Sequence, residues 1–234
     1  MNRDTSEVIF KPRPLSRFKR KRVLYIPLDT PLNSIHTVLK QRSIREKREL
    51  FGHLFLLPNT VVLSMCIGAP LAVIGLERCI ASGAEEILIL GFCGALDART
   101  KIGDAVIITR ASSEEGTSQH YYPRKRVFRP SACLTKELEL TLERTKLPHV
   151  SGATVSTDAP FRETQSWLAR NRAKGVRYVD MEASAVFALA DFHNIEAAAL
   201  MLVSDNLSDD THEVQITHKA LLTNIEKYFF PFLE

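Results

Sequence analysis

Short apolar runs at 23–26, 54–57, 61–65, 87–90, 105–109, 152–154 and 197–203 alternate with segments of helical period at 71–82, 134–146, 163–174, 183–192 and 218–228. Strand-like and helix-like stretches in alternation predict an α/β fold, a single-domain αβα sandwich with a central, mostly parallel or mixed β-sheet and helices on both faces. The helix over 71–82 is punctuated at both ends. Gly68-Ala69-Pro70 precedes it, with proline suited to a first turn, and Gly83 follows as a C-cap. The chain shows no internal repeat and no low-complexity segment.

Composition narrows the class. At 234 residues and 45% hydrophobic content the chain can bury one sizeable core. No apolar run reaches the ~18 residues that span a bilayer, and residues 1–10 lack a signal-peptide core, so a cytoplasmic protein with no membrane partner is expected. Cys66, Cys79, Cys93 and Cys133 form no C-x-x-C pair and read as reduced thiols. The seven histidines show no metal-ligand spacing, and no metal is expected. The net charge of +4 is uneven, since 11–22 holds seven basic residues and no acid. We divide the chain into a basic N-terminal arm, 1–22, and a main domain, 23–234. The arm reads as a solvated tail over the surface or a neighbouring subunit; nucleic-acid binding is not expected from a charge run with Phe18 as its one aromatic.

Two acids stand out. Glu182 opens a helical stretch in Val179-Asp180-Met181-Glu182-Ala183-Ser184, and Asp205 ends the last apolar run through Ser204. In an open α/β sheet, strand ends are where ligands bind, so one acid can hold a polyol while the other handles a proton. Each alone reads as a helix-start Glu or a turn Asp. Four further segments can line a site. Gly91-Phe92-Cys93-Gly94 after a strand predicts a turn that presents backbone N–H groups. Gly68-Ala69-Pro70 offers a positive helix end. The polar loop 113–123 contains His120, either a proton carrier or a structural hydrogen-bonding residue. In Thr157-Asp158-Ala159-Pro160-Phe161-Arg162, Phe161 can stack on a flat ring and Arg162 bond its edge; the same residues also read as a capped helix start with Thr157 or Asp158 as N-cap and Phe161 as a packing staple. Trp167 reads as packing, and Asp209 and Asp210 as caps of the last helix.

Taken in order, Gly68-Ala69-Pro70, Gly91-x-Cys93-Gly94-Ala95, Gly103-Asp104, Glu115-Gly116-Thr117-Ser118, Asp180-Met181-Glu182-Ala183 and Ser204-Asp205 resemble the nucleoside phosphorylase and nucleosidase family, over 61–209. The resemblance implies cleavage of the N-glycosidic bond of a nucleoside, a purine one, by phosphorolysis in the manner of a glycosyltransferase. It also implies a homo-oligomer and no cofactor beyond phosphate as the candidate co-substrate. It gives Met181 and Glu182 the ribose, with Glu182 on its hydroxyls, and Asp205 the purine N7. It places Phe161 near the base, Gly68 and Gly91 along the anion and sugar region, and Phe92 and Cys93 beside them.

The departures concern phosphate. Family phosphorylases carry an Arg two residues before the first Gly of the G-x-x-G and a Ser or Thr just after it, where this chain has Ile89 and Phe92. The loop after Ile26 reads Pro27-Leu28-Asp29-Thr30-Pro31 and lacks the expected G-x-x-x-R. Isoleucine cannot supply the bidentate, charge-assisted bonds of a guanidinium. Arg42, Arg45 and Arg48 lie where relatives borrow a phosphate-binding Arg from the adjacent subunit, but read as a solvated basic helix face. His218 and Lys219 are the nearest basic partners for Asp205. Two alternatives therefore stand beside phosphorolysis: a nucleosidase that uses water, and a non-catalytic nucleoside-binding protein.

Overall fold

The computed structural model describes residues 8–15, 21–27, 34–49, 52–58, 60–207 and 219–233. In chain order these form β1 (Arg22–Ile26), α1 (Ser34–Arg42), β2 (Arg45–Glu49), β3 (Gly52–Leu56), β4 (Val61–Ser64), α2 (Ala69–Ala81), β5 (Glu86–Ala95) and β6 (Ala105–Glu114). Then follow α3 (Ser118–Tyr121), β7 (Val127–Phe128), α4 (Ala132–Arg144), β8 (Val150–Thr157), α5 (Gln165–Ala173), β9 (Tyr178–Asp180), α6 (Ala183–His193), β10 (Glu196–Asn206) and α7 (Lys219–Phe229).

Strands β1, β4, β5 and β10 are near-continuous apolar runs, as strands buried on both faces must be. They pair in parallel in the order β4–β1–β5–β10. The antiparallel hairpin β2–β3 extends the β4 edge. On the other side β6 joins β10 antiparallel, β8 and β9 follow in parallel, and β9 returns to pair antiparallel with β5. β5, β10, β6, β8 and β9 thus close into a ring. Alternate residues of β5 sort the layers: Ile87 and Ile89 pack with α2 and α6 on one face, Leu88 and Leu90 with α1, α4 and α7 on the other. This is the expected αβα sandwich around a mixed sheet.

Several expectations are corrected. The G-x-x-G segment is no turn: Gly91 and Gly94 lie inside β5, neither has a positive φ, and pairing with β10 on one edge and β9 on the other carries the strand through both. The strand β2, Arg-Glu-Lys-Arg-Glu, escapes hydrophobic pattern reading because it is the charged edge of the sheet. Arg45 and Arg48 belong to it, so they are not on a helix face; Arg42 ends α1. The N-cap of α5 is Thr164, whose Oγ1 accepts from Trp167 N at 3.2 Å, in place of Thr157 or Asp158. Phe161 sits in a single 3-10 turn, fully exposed at 100%, and staples nothing. Of the described arm residues, Arg13 and Leu15 lie against the end of α2, Leu15 N donating to Ser82 Oγ and Arg78 Nε to the Arg13 carbonyl, whereas Ile9 and Phe10 are exposed. Lys21 pairs with Glu85, and Arg22, opening β1, with Glu86 and Glu137, while residues 16–20 of the arm, the loop 28–31, Asp209, Asp210 and His218 lie outside the described residues. Among the described residues no helix is long and apolar enough to cross a membrane.

Candidate functional site

The site is built outward from Asp180, an acid to which the motifs alone assign no task. It is fully buried where β9 meets α6, and its carboxylate takes four donors: Thr154 Oγ1 at 2.6 Å, Ser156 Oγ at 2.8 Å, and the backbone N–H groups of Glu182 and Ala183, both at 2.7 Å. It therefore caps α6 from outside the helix, two residues before the formal N-cap, Glu182. Burial raises the pKa of Asp180 against the pull of these bonds. A second buried acid, Glu115, extends the framework. Ser113 and Ser184 hydroxyls donate to one of its oxygens, and the backbone of Thr117 and Ser118 to the other. Burial works to raise its pKa, but these hydrogen bonds outweigh it and hold the carboxyl below its usual value. The loop after β6 is thereby fastened to the start of α6, and Gly116 N, donating to Asp158 Oδ2 at 2.8 Å, ties it to the turn that carries Phe161 and Arg162.

Glu182 faces the other way. Its Oε1 accepts from Gly68 N at 2.6 Å, linking α6 to the entry of α2. Gly68 has φ 84°, open to glycine and strained for other residues, and a Cβ there would meet nothing within 4 Å, so this backbone borders open space. Tyr25, buried in β1, donates to the Cys66 carbonyl and fixes the approach to that glycine. Burial, reinforced by the neighbouring charge of Asp180, pushes Glu182 up to about 8. Met181 beside it is half-buried.

Asp205 is placed by an irregularity. Val203 pairs with Cys93 and Asp205 with Gly94, so Ser204 is the extra residue of a bulge, a device that re-aims side chains near active sites. Ser204 Oγ lies 2.6 Å from Asp205 Oδ1 and 3.3 Å from the Cys93 carbonyl. Gly94 serves here by its size: a Cβ would fall 2.8 Å from Leu207 Cδ1, 2.9 Å from Asp205 Oδ2 and 3.0 Å from Val179 Cγ1. Val179, on β9, pairs with Gly94 from the opposite edge of β5 and leads straight into Asp180. The segment 93–94 of β5 is thus flanked by β10 with Asp205 and by β9 leading to Glu182.

The remaining candidates divide. Cys93 is buried, its thiol pushed well up by burial, and supplies backbone and packing. Gly91 is buried in β5. Ile89 is 0% exposed in the core, and Phe92 packs on Phe229 of α7 with ring centroids 5.9 Å apart. His120, on α3, is exposed, as are Phe161 and Arg162. Sequence reasoning placed Asp180 and Glu115 in motifs without a task, read Gly94 as part of a turn and passed over Tyr25. The signal for the first was present: an acid directly before a helix start, between two apolar residues.

Solved structures share the architecture. Purine nucleoside phosphorylase from Toxoplasma gondii superposes with a TM-score of 0.76 at 19% identity, covering 92% of this chain and 89% of that one. A 5'-methylthioadenosine/S-adenosyl homocysteine nucleosidase from Campylobacter jejuni does so at 0.76 and 14%, covering 91% and 96%. Among curated sequences, guanosine phosphorylase from Halorubrum lacusprofundi is 35% identical over 150 residues, which is 64% of this chain and 62% of that protein, less than two thirds of the relative's length. A match from residue 28 to residue 229, across most of the sheet and its helices, completes the assignment: the chain belongs to the phosphorylase superfamily.

Proposed function

We propose that this protein cleaves the N-glycosidic bond of a purine nucleoside. Supporting the reading above all is Glu182: a buried carboxyl with its pKa raised to about 8, bonded to Gly68 N beside open space. Ribose 2′ and 3′ hydroxyls supply the donors that turn such a group into a stable carboxylate, and their bonds strengthen as the sugar becomes oxocarbenium-like. Asp205 sits across β5 to protonate or hydrogen-bond the purine N7 as the C1′–N9 electron pair leaves with the base. Ser204 can serve both states of Asp205, donating to the carboxylate or accepting from the acid while its own proton turns to the Cys93 carbonyl. Met181 packs beside the sugar, and Phe161, Arg162 and His120 close over the base. No cofactor is needed, and the reaction belongs in the cytoplasm.

Phosphate is the first choice of nucleophile. The guanosine phosphorylase relative supports it, and Arg48, on β2 with 73% of its side chain exposed and 3.8 Å from Glu46, can swing to a phosphate in a neighbouring copy of a homo-oligomer. The exposed apolar residues Met65, Ile67, Leu71 and Ile74 around the start of α2 give such a copy a surface to cover. One observation favours water instead: Ile89 is in the core and Phe92 against Phe229, so neither position offers phosphate a ligand. Inosine, guanosine and 5'-methylthioadenosine, incubated with and without phosphate, decide between them. Base release that requires phosphate and yields ribose 1-phosphate supports phosphorolysis. Release indifferent to phosphate overturns it for hydrolysis, and tight binding without release overturns both. Asp205→Asn slows purine release by about 100-fold and spares a nucleoside with an activated leaving group; equal loss on both removes Asp205 from the proton step.

A further inference from the structure

Three metal-capable side chains converge from three elements at the charged edge of the sheet. His36 lies on α1, Glu46 on β2 and His53 on β3. One ligand atom from each lies within 4.8 Å of the others. Hairpin register accounts for part of this: Glu46 faces Phe55 and Arg48 faces His53, so Glu46 and His53 are diagonal neighbours on one face. Glu46 Oε1 is 3.5 Å from His53 Nδ1 and is buried, with no hydrogen-bond donor on it among the described residues. Phe55 forms an apolar wall, its ring centroid 5.5 Å from that of His36 and 6.2 Å from that of His53. A buried carboxylate oxygen without a donor is costly, and a cation between it and two imidazoles removes that cost.

We propose that His36, Glu46 and His53 hold a zinc-class divalent cation, with the remaining coordination position open to water. Two imidazoles and one carboxylate suit zinc and its transition-metal neighbours, whereas magnesium and calcium prefer oxygen donors throughout. Metal–ligand bonds of ~2.0–2.2 Å draw tetrahedral donors to about 3.4 Å apart, so the cluster closes by roughly an ångström on binding. Arg48 Nε, 3.8 Å from the same Glu46 oxygen, is on a largely exposed side chain and yields to water. The cation pins α1 to the hairpin. Because His53 pairs with Ser64, it also stiffens the strand that leads to Gly68. Ligand-spacing rules cannot see such a site, since its members are close in space through three separate elements.

The test uses the full chain, stripped of metal, and is independent of the reaction proposed above. Calorimetric titration with zinc yields one equivalent per chain and with magnesium none, and zinc raises the melting temperature. His53→Gln and Glu46→Gln each weaken zinc binding at least ~10-fold and remove that rise. Cobalt(II) added to the unaltered protein gives ligand-field bands of nitrogen and oxygen coordination without a thiolate charge-transfer band, which carries the test even if a variant fails to fold. No uptake of zinc, undiminished uptake by the folded His36→Gln/His53→Gln double variant, or a thiolate band that points to the exposed Cys133 overturns the proposal.

Discussion

Asp180 and Glu182 stand two residues apart at the start of α6, both fully buried, and their surroundings differ. Behind the helix Asp180 receives four donors, two from side chains of β8 and two from the backbone at the start of α6. In front of it Glu182 accepts, among the described residues, from the backbone N–H of Gly68 with a weaker pull from that of Met181, and burial raises its carboxyl to about 8. Glu115, in the anchoring region like Asp180, is held below its usual value by serine and backbone donors. A buried acid surrounded by donors is scaffold; one with acceptor capacity to spare beside open space is waiting for a ligand to complete it. Burial alone does not separate the two roles, whereas the count of donors does.

The largest expected effect falls on the mouth of the site. Glu182→Gln lowers kcat/KM by about 100- to 1,000-fold in a base-release assay while the fold persists. The same variant reports on pH. A carboxyl whose folded pKa lies near 8, above its ordinary 4.5, binds more protons in the native than in the unfolded chain across that window. Stability must therefore fall as pH rises from about 4.5 to 8, by up to ~1.4 kcal/mol per unit. Denaturant titrations should show this slope in the unaltered protein and a flattened one in Glu182→Gln; parallel curves would place the pKa elsewhere. Nucleoside binding, which needs the carboxylate, should tighten over the same rise.

Next in size is the anchor. Asp180→Asn turns an acceptor-only group into one with an amide donor facing four donors, and about 2–4 kcal/mol of stability should be lost, read as a lower denaturant midpoint. Activity falls as well, through displacement of Glu182. If Asp180→Asn and Glu182→Gln destabilise alike, the distinction between the two acids fails. The smallest effects belong to two glycines that sharpen it. Gly94→Ala places a methyl group against Leu207, Asp205 and Val179 and costs about 1–3 kcal/mol, with kcat falling more than KM rises. Gly68→Ala meets no atom and carries the strain of φ 84° with ψ 152°, about 1–3 kcal/mol.

The layers of the fold were legible because the central strands are apolar runs, α2 is punctuated at both ends, and α4 and α7 carry a clear apolar period. What was lost lay where pattern and pairing part company. β2 is charged because it is an edge, β9 is three residues long and held by partners on both sides, and Gly91 to Gly94 read as a turn because local propensity knows nothing of the two strands that flank them. Glu182 and Asp205 were legible as strand-end acids in an ordered set of motifs. Asp180 and Glu115 stood in the same motifs without a task, since half of the donors to Asp180 and the tie of Glu115 to α6 come from Thr154, Ser156 and Ser184, which lie 26, 24 and 69 positions away.

The extra residue at Ser204 also sets a counting rule. Removing Ser204 would let β10 regain an uninterrupted ladder with β5 and leave Asp205 at the station opposite Gly94, whereas removing Asp205 would bring Ser204 there. Either deletion mends the ladder, one at the expense of the hydroxyl beside the acid and the other at the expense of the acid itself. Segment length at this one step therefore decides whether acid and hydroxyl stand together opposite the small residue of the next strand.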